Sequence, residues 1–246
     1  MKPSRSIYTD FLSYVKNPGY VQPVNVVGFS KVTLFIRLFL TQCPFWLGSG
    51  FLAAFVVLQF EKWTGADLRQ HHAIHGWSFF VAAVLIVPLV EETMFRFSLQ
   101  LTPGRLASAL SIMLLLVLFR LYNNLSSATP QYLVVGIFAM WSLASYLLVK
   151  WIRQPRLFGR IEAFWRQHFR VIYYLSAFSF GFFHLSNCVE LSVWHLALAP
   201  LITLPQIVLG FYQGYVRMTY GFWYAVGLHM LVNLGPVTLM MTSQFN

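Results

Sequence analysis

Charge is what this sequence has least of. Only 10% of its 246 residues are charged, against about 25% in a typical soluble domain. Acid is the scarcer sign, with seven Asp and Glu beside 17 Lys and Arg. A chain that is 58% hydrophobic, with a mean hydropathy of +0.63, has too little polar surface to face water on all sides. Its natural solvent is lipid, and a water-soluble globular domain is excluded. Cysteine is nearly missing too. Cys43 and Cys188 both lie in or beside apolar stretches, which argues against a disulfide framework or a cysteine-rich metal site. Internal repeats and low-complexity tracts are not apparent. The N-terminal segment lacks the continuous apolar core of a cleavable signal peptide, so insertion is expected to begin with the first true span.

A net charge of +10 would suggest nucleic acid in a soluble protein. Here no nucleic-acid signature interleaves with the basic residues. The charge reads instead as cytoplasmic loops facing anionic lipid, with the bilayer as partner and no nucleic acid. The 24 Phe, 12 Tyr and 8 Trp fit lipid-facing walls and interfacial belts.

Apolar runs fall at 32–60, 76–101, 106–122, 131–149, 171–185, 192–215 and 220–241. They predict an all-α, polytopic transmembrane helix bundle of about seven spans plus interfacial helices. Residues 1–30 form a cytoplasmic or interfacial N-terminal segment, in which Ile7, Phe11, Leu12, Tyr14 and Val15 suggest a short helix on the membrane surface. Residues 31–246 form the bundle. The first run contains Gln42 and Pro44 and is expected to be kinked or divided. The segment 150–170 carries Lys150, Arg153, Arg156, Arg160, Arg166 and Arg170 among Trp151, Phe158, Phe164 and Trp165, and reads as an interfacial helix. The bias of Lys and Arg places this segment and the N-terminus in the cytoplasm and the C-terminus outside. A multi-pass plasma-membrane protein with its site facing the cytoplasm is the resulting expectation.

Ionisable groups inside apolar spans are costly and count as functional candidates. The second run holds Glu91-Glu92-Thr93-Met94-Phe95-Arg96. The fifth holds Phe180-Gly181-Phe182-Phe183-His184, and the seventh His229-Met230-Leu231-Val232-Asn233. Residues four apart sit about 40° apart around a helix, so His229 and Asn233 point into one cavity, and Glu92 aligns with Arg96. Glu91 and Glu92 are about 100° apart and cannot both face that cavity equally. From the cytoplasmic ends of their spans, Glu91, His184 and His229 lie roughly 15, 20 and 14 Å deep, so three helices deliver polar groups to one layer. Glu-Glu-x-x-x-Arg is rare by chance at these residue frequencies. Phe-x-x-x-His is weak alone, since Phe164 and His168 match it again in a basic loop.

Peptide hydrolysis needs a base beside water and donors where negative charge develops on the carbonyl oxygen. A Glu with His and Asn donors meets that need. A Glu with two His could instead hold a divalent metal such as zinc, through Glu91, His184 and His229. The residues leave both open. They also leave plainer readings: a structural ion network for Glu91, Glu92 and Arg96, a packed histidine at 184, and interhelical hydrogen bonding by His229 and Asn233. His71, His72 and His75 read as a solvated or interfacial cluster, and His195, beside Trp194, as interfacial. Gly181, Gly210, Gly214, Gly221 and Gly227 read as sites of close helix packing.

In order and spacing, these three motifs resemble those of the CPBP family (CAAX protease and bacteriocin-processing), which includes the type II CAAX prenyl endopeptidases. The run GFYQGYVRMTYGFWYAVGLHMLVN resembles that family's approach to its last core helix. The resemblance covers about residues 76–240, the expected peptidase core. It implies an intramembrane endopeptidase, glutamate-dependent or metal-dependent. By it Glu91 and His184 activate water, His229 and Asn233 form an oxyanion hole, and Glu92, Arg96 and Phe180 support the site. The implied partner is a membrane-associated peptide or protein substrate, prenylated (CAAX-like) or bacteriocin-like. A catalytically silent membrane scaffold or self-immunity factor is the alternative. A proton-coupled transporter using the buried carboxylates is a third reading, disfavoured by the missing repeats.

Overall fold

The protein is described here from a computed structural model covering residues 6–23, 31–66, 68, 76–124, 132–187 and 192–242. Every regular element among them is helical. α1 (Ile7–Lys16) precedes the 34-residue α2 (Lys31–Thr64). α3 (Gly76–Val81), a π-helical turn (Ala82–Ile86), α4 (Val87–Phe95) and a 3-10 turn (Phe97–Leu99) follow as one interrupted span. α5 (Pro103–Asn124) and α6 (Tyr132–Ile152) pair antiparallel at the periphery. α7 (Pro155–Gln167), α8 (Phe169–Phe183) and a 3-10 turn (His184–Asn187) come next. The chain ends with α9 (Val193–Ala197), α10 (Ala199–Ile202), α11 (Leu204–Thr219) and α12 (Phe222–Thr242).

The architecture is the expected all-α bundle. Five helical stretches are long and apolar enough to cross a membrane: 31–64, 76–99, 103–122, 132–152 and 222–242. The other two apolar runs have different shapes. The run at 171–185 becomes α8, whose 15 residues reach roughly 22 Å. The run at 192–215 divides into α9, α10 and α11, because Pro200 and Pro205 each start a new helix where they lack an N–H to continue the old one. Pro44, in contrast, sits inside an unbroken α2. Large apolar side chains such as Phe51, Phe55, Val135 and Leu143 are exposed on the outer helices, a surface suited to lipid.

The core forms around α11, which packs against α8, α2 and α12. Glycine permits this closeness. A Cβ at Gly210 would lie 3.0 Å from the Ala177 backbone, and one at Gly214 would lie 2.8 Å from the Tyr173 ring. Gly181 meets Ile207, and Gly227 meets the Phe35 ring, in the same way. Gly221 differs: it turns the chain between α11 and α12 with φ of +109°, a conformation L side chains rarely adopt.

The N-terminal helix is also anchored to the bundle. Phe11 and Tyr14 of α1 are buried against Tyr212, Tyr215 and Tyr173, while Tyr8 and Leu12 remain exposed. The basic segment does contain an amphipathic helix, α7, with Phe158, Ile161 and Trp165 inward against Leu101, Leu106 and Ile152. His195 is buried, and its ring completes a capping box with Ser192 at the start of α9. Cys188 and the His71, His72 and His75 cluster lie outside the described residues.

Candidate active site

The three sequence motifs converge. Glu91 of α4 presents Oε1 at 3.8 Å from Nε2 of His184 and Oε2 at 3.5 Å from Nε2 of His229. The Glu91 side chain is 8% exposed, His184 17% and His229 1%, so the group lies deep but reachable. Glu92, about 100° further round the helix, meets the cluster only from behind His229. Its Oε1 accepts from Arg96 Nη1 at 2.6 Å and from His229 Nδ1 at 2.9 Å. Both members of the Glu92–Arg96 ion pair are fully buried.

Hydrogen bonding fixes both imidazoles. His184 Nδ1 lies 2.9 Å from the Phe180 carbonyl, which can only accept, so Nδ1 carries the proton. His229 Nδ1 likewise donates to Glu92, whose same oxygen already receives Arg96. In the neutral rings both Nε2 atoms are therefore bare and directed at Glu91. Phe180 is the shared floor. Its ring meets Arg96 at 3.7 Å, His184 at 4.8 Å and His229 at 5.5 Å, with no exposure to solvent.

Asn233 occupies the same face of α12 as His229 and lines the same cavity, but its Nδ2 donates to the Ala83 carbonyl at 3.0 Å. Ala83 lies in the π-helical turn. One amide hydrogen of Asn233 thus ties α12 to the second span, leaving the other for the cavity. The π turn also has a geometric effect. Phe79, Ala83, Val87 and Glu91 all line the cavity at intervals of four, and a wider turn offsets part of the 40° drift such spacing accumulates in an α-helix.

The cavity measures about 340 Å³. Beyond the polar cluster its walls are mainly apolar, including Trp46, Leu209, Val232 and Val237. It extends from Glu91 towards Phe79, from His184 towards Asn187, and from His229 towards Met240. Those directions lead to the end of the bundle away from the basic segment 150–170. A site facing the cytoplasm is the expectation from the sequence, and the cavity's lining residues run from the cluster away from the basic segment. On the basic side the cluster is capped by Glu92, Arg96 and Phe180, and below them by Arg217.

Arg217 and Gln213 are the functional-region residues that motif reading missed. Arg217 donates to the Arg96 and Phe97 carbonyls at 3.2 and 3.1 Å and to Gln100 Oε1 at 3.0 Å, bracing the turn after α4. With its amide turned so that nitrogen faces acceptors and oxygen faces donors, buried Gln213 donates to the Ala225 carbonyl at 3.1 Å and accepts from the His229 N–H at 3.3 Å. In that orientation it links α11 to the turn of α12 that carries His229. Two polar residues four apart in the apolar α11 were the available signal.

A metal would draw on Glu91, His184 and His229. Anchored Nδ1 atoms are a habit of metal-binding histidines. Even so, among the described residues no group of three His, Cys, Asp or Glu closes on a common point as a ligand set. The two Nε2 atoms stand 3.8 and 3.5 Å from the carboxylate, and all three residues line the cavity. Comparison of the chain with protein-family models, curated proteins and solved structures finds no match.

Proposed function

We propose that this protein is an intramembrane endopeptidase that hydrolyses peptide bonds with water activated by Glu91 and His184. The observation that carries the proposal is a carboxylate at the inner end of an otherwise apolar cavity, faced by the bare Nε2 atoms of two histidines from different helices. Such an arrangement within apolar spans costs stability, which marks it as a functional candidate. The CPBP-like motifs point to the same activity.

The chemistry follows from the positions. Water held between Glu91 and His184 transfers a proton to Glu91 as its oxygen bonds to the substrate carbonyl carbon. Negative charge then develops on the carbonyl oxygen. The free amide hydrogen of Asn233 and, in its doubly protonated form, Nε2–H of His229 donate to it. Glu92 balances that ring through Nδ1. Collapse of the intermediate breaks the C–N bond, and the proton held by Glu91 passes to the leaving amine. Arg96 keeps Glu92 in place and Phe180 keeps both rings in register; neither touches the reacting atoms.

Glu91→Gln is the test. It preserves shape and hydrogen-bonding reach but removes the proton acceptor, so turnover should vanish while folding and peptide binding persist. Membrane proteomes containing wild type or Glu91→Gln should differ by peptides or termini that depend on Glu91. If Glu91→Gln supports the same cleavage as wild type, the hydrolytic role is refuted and a scaffold or self-immunity factor becomes the better account. One observation favours that second reading, namely that Asn233 already serves as a link between helices.

A further inference from the structure

The direction of the cavity bears on what reaches it. Along α12 the lining residues His229, Val232, Asn233, Pro236, Val237 and Met240 follow one face from the cluster to near the C-terminal end of the helix. That path is roughly 16 Å at 1.5 Å per residue. The α3–α4 span contributes a matching line back to Phe79, and Asn187 follows His184 towards the same end. No lining residue named for this cavity lies beyond the cluster on the other side.

The opposite side is closed by paired groups. Glu92, Arg96, Phe180 and Gln213 are fully buried, and Arg217 is 2% exposed. Charge distinguishes the two ends as well. The closed end carries Lys150, Arg153, Arg156, Arg160, Arg166 and Arg170, with Arg105 at the start of α5. Near the open end, the described cations are fewer: Lys62, one residue from Glu61, and Arg120 near the end of α5. An excess of Lys and Arg in short loops marks the cytoplasmic face.

We infer that the cavity opens to the extracytoplasmic face, and that its substrate is a peptide segment presented there and not a lipidated tail held in the cytoplasmic leaflet. The inference rests on the peptidase reading only for what the ligand undergoes, not for the side from which it arrives. The walls suit such a segment. Among the described residues they include no Lys or Arg, and they combine apolar side chains with the amides of Asn187, Gln206 and Asn233. Gln206, which lines the cavity, has its Oε1 buried without a hydrogen-bond partner among the described residues. A prenyl group anchors its peptide at the leaflet where it is attached. A CAAX-like tail in the cytoplasmic leaflet would meet the closed end.

Cysteine labelling tests this directly. In a background with Cys43 and Cys188 replaced by Ser, Asn187→Cys and Val237→Cys report on the cavity, and Arg160→Cys reports on the basic end. A membrane-impermeant maleimide added to intact cells should label positions 187 and 237 but not 160, and inverted vesicles should reverse the pattern. Labelling of 187 and 237 only from the face that labels 160 would overturn the inference. So would labelling of 160 in intact cells, or protection of both cavity positions from either face. Val237→Cys stands in if Asn187→Cys does not accumulate. Labelling needs no turnover, so a Glu91→Gln background gives the same pattern whether or not the peptidase proposal survives.

Discussion

Replacing Glu92 by Gln should destabilise the protein far more than replacing its neighbour Glu91. Glu92 and Arg96 are both fully buried and 2.6 Å apart, so the substitution strands a guanidinium in the interior. Arg96 has little else to hold it. Its Nε and Nη2 already lack hydrogen-bond partners, and the Phe180 ring is its remaining close contact. Removing one partner of a buried pair costs roughly 3–5 kcal/mol. For a chain of this size that corresponds to a fall in Tm of roughly 6–20 °C. Among the described residues the Glu91 carboxylate has no ion-pair approach closer than 3.5 Å, to His229, so Glu91→Gln should melt close to wild type. The double variant Glu92→Gln/Arg96→Met removes the stranded charge and should recover part of the loss, since deleting both partners costs less than deleting one. Thermal unfolding of wild type, Glu92→Gln, Arg96→Met and the double variant in one detergent supplies the cycle, with Glu91→Gln measured beside them. Equal melting of Glu92→Gln and Glu91→Gln, or strict additivity in the double variant, would refute the argument that this pair holds the floor of the site.

Other expectations follow from single contacts. Asn233→Ala should lower turnover by about 10²–10³, the usual worth of one oxyanion donor. It should also cost about 1 kcal/mol in unfolding because the Ala83 link is lost. A drop in stability with turnover unchanged would make Asn233 a strut only. Gly214→Ala drives a Cβ to within 2.8 Å of the Tyr173 ring and should destabilise by about 1–3 kcal/mol, whereas Gly48→Ala meets open space and should be neutral or better. Matched melting of the two would contradict the close α8–α11 approach. Exhaustive chelation should leave turnover unchanged if Glu91 and His184 act on water without a metal. Loss that only a divalent cation restores, with near one equivalent bound, would assign Glu91, His184 and His229 as ligands.

The helical class and the meeting of the motifs were legible because both depend on local regularities. Apolar runs of sufficient length mark helices in lipid, and spacing of four brings His229 and Asn233, or Glu92 and Arg96, onto one face. Less legible was whatever depends on a second helix. Nothing in Phe11 or Tyr14 says that α1 will bury them against Tyr212 and Tyr215, because an amphipathic stripe fits a protein groove as well as a membrane surface. The run at 192–215 passed as one span because hydropathy ignores the break that Pro200 and Pro205 impose. The contact between Glu92 and His229, 137 positions apart, left no trace in spacing. The direction of the cavity was hidden for the same reason. Depth along a helix can be counted from sequence, but which side of that depth is filled depends on Arg217, Gln213 and Phe180 from two other helices.

The adjacent glutamates show why such a site can sit in the middle of a span. A carboxylate free to exchange protons must not be consumed by a fixed partner, yet a buried one without any partner is costly. The chain divides these demands between neighbours. Glu92 takes the permanent cation, Arg96, and also orients His229. Glu91, about 100° away, is left facing only the Nε2 atoms of two histidines across 3.5 and 3.8 Å. Exchanging the two roles would require His229 to approach α4 from its other face, away from the Nδ1 contact it makes with Glu92. Glu91→Asp provides a sharp check on this division. Shortening the side chain by one methylene withdraws the carboxylate from both rings by about 1 Å and should reduce turnover by about 10²-fold, the scale on which misplaced reacting groups lose rate. Melting should hardly change, because Glu91 anchors nothing. A Glu91→Asp variant that unfolds as readily as Glu92→Gln would show that the two carboxylates share one structural load.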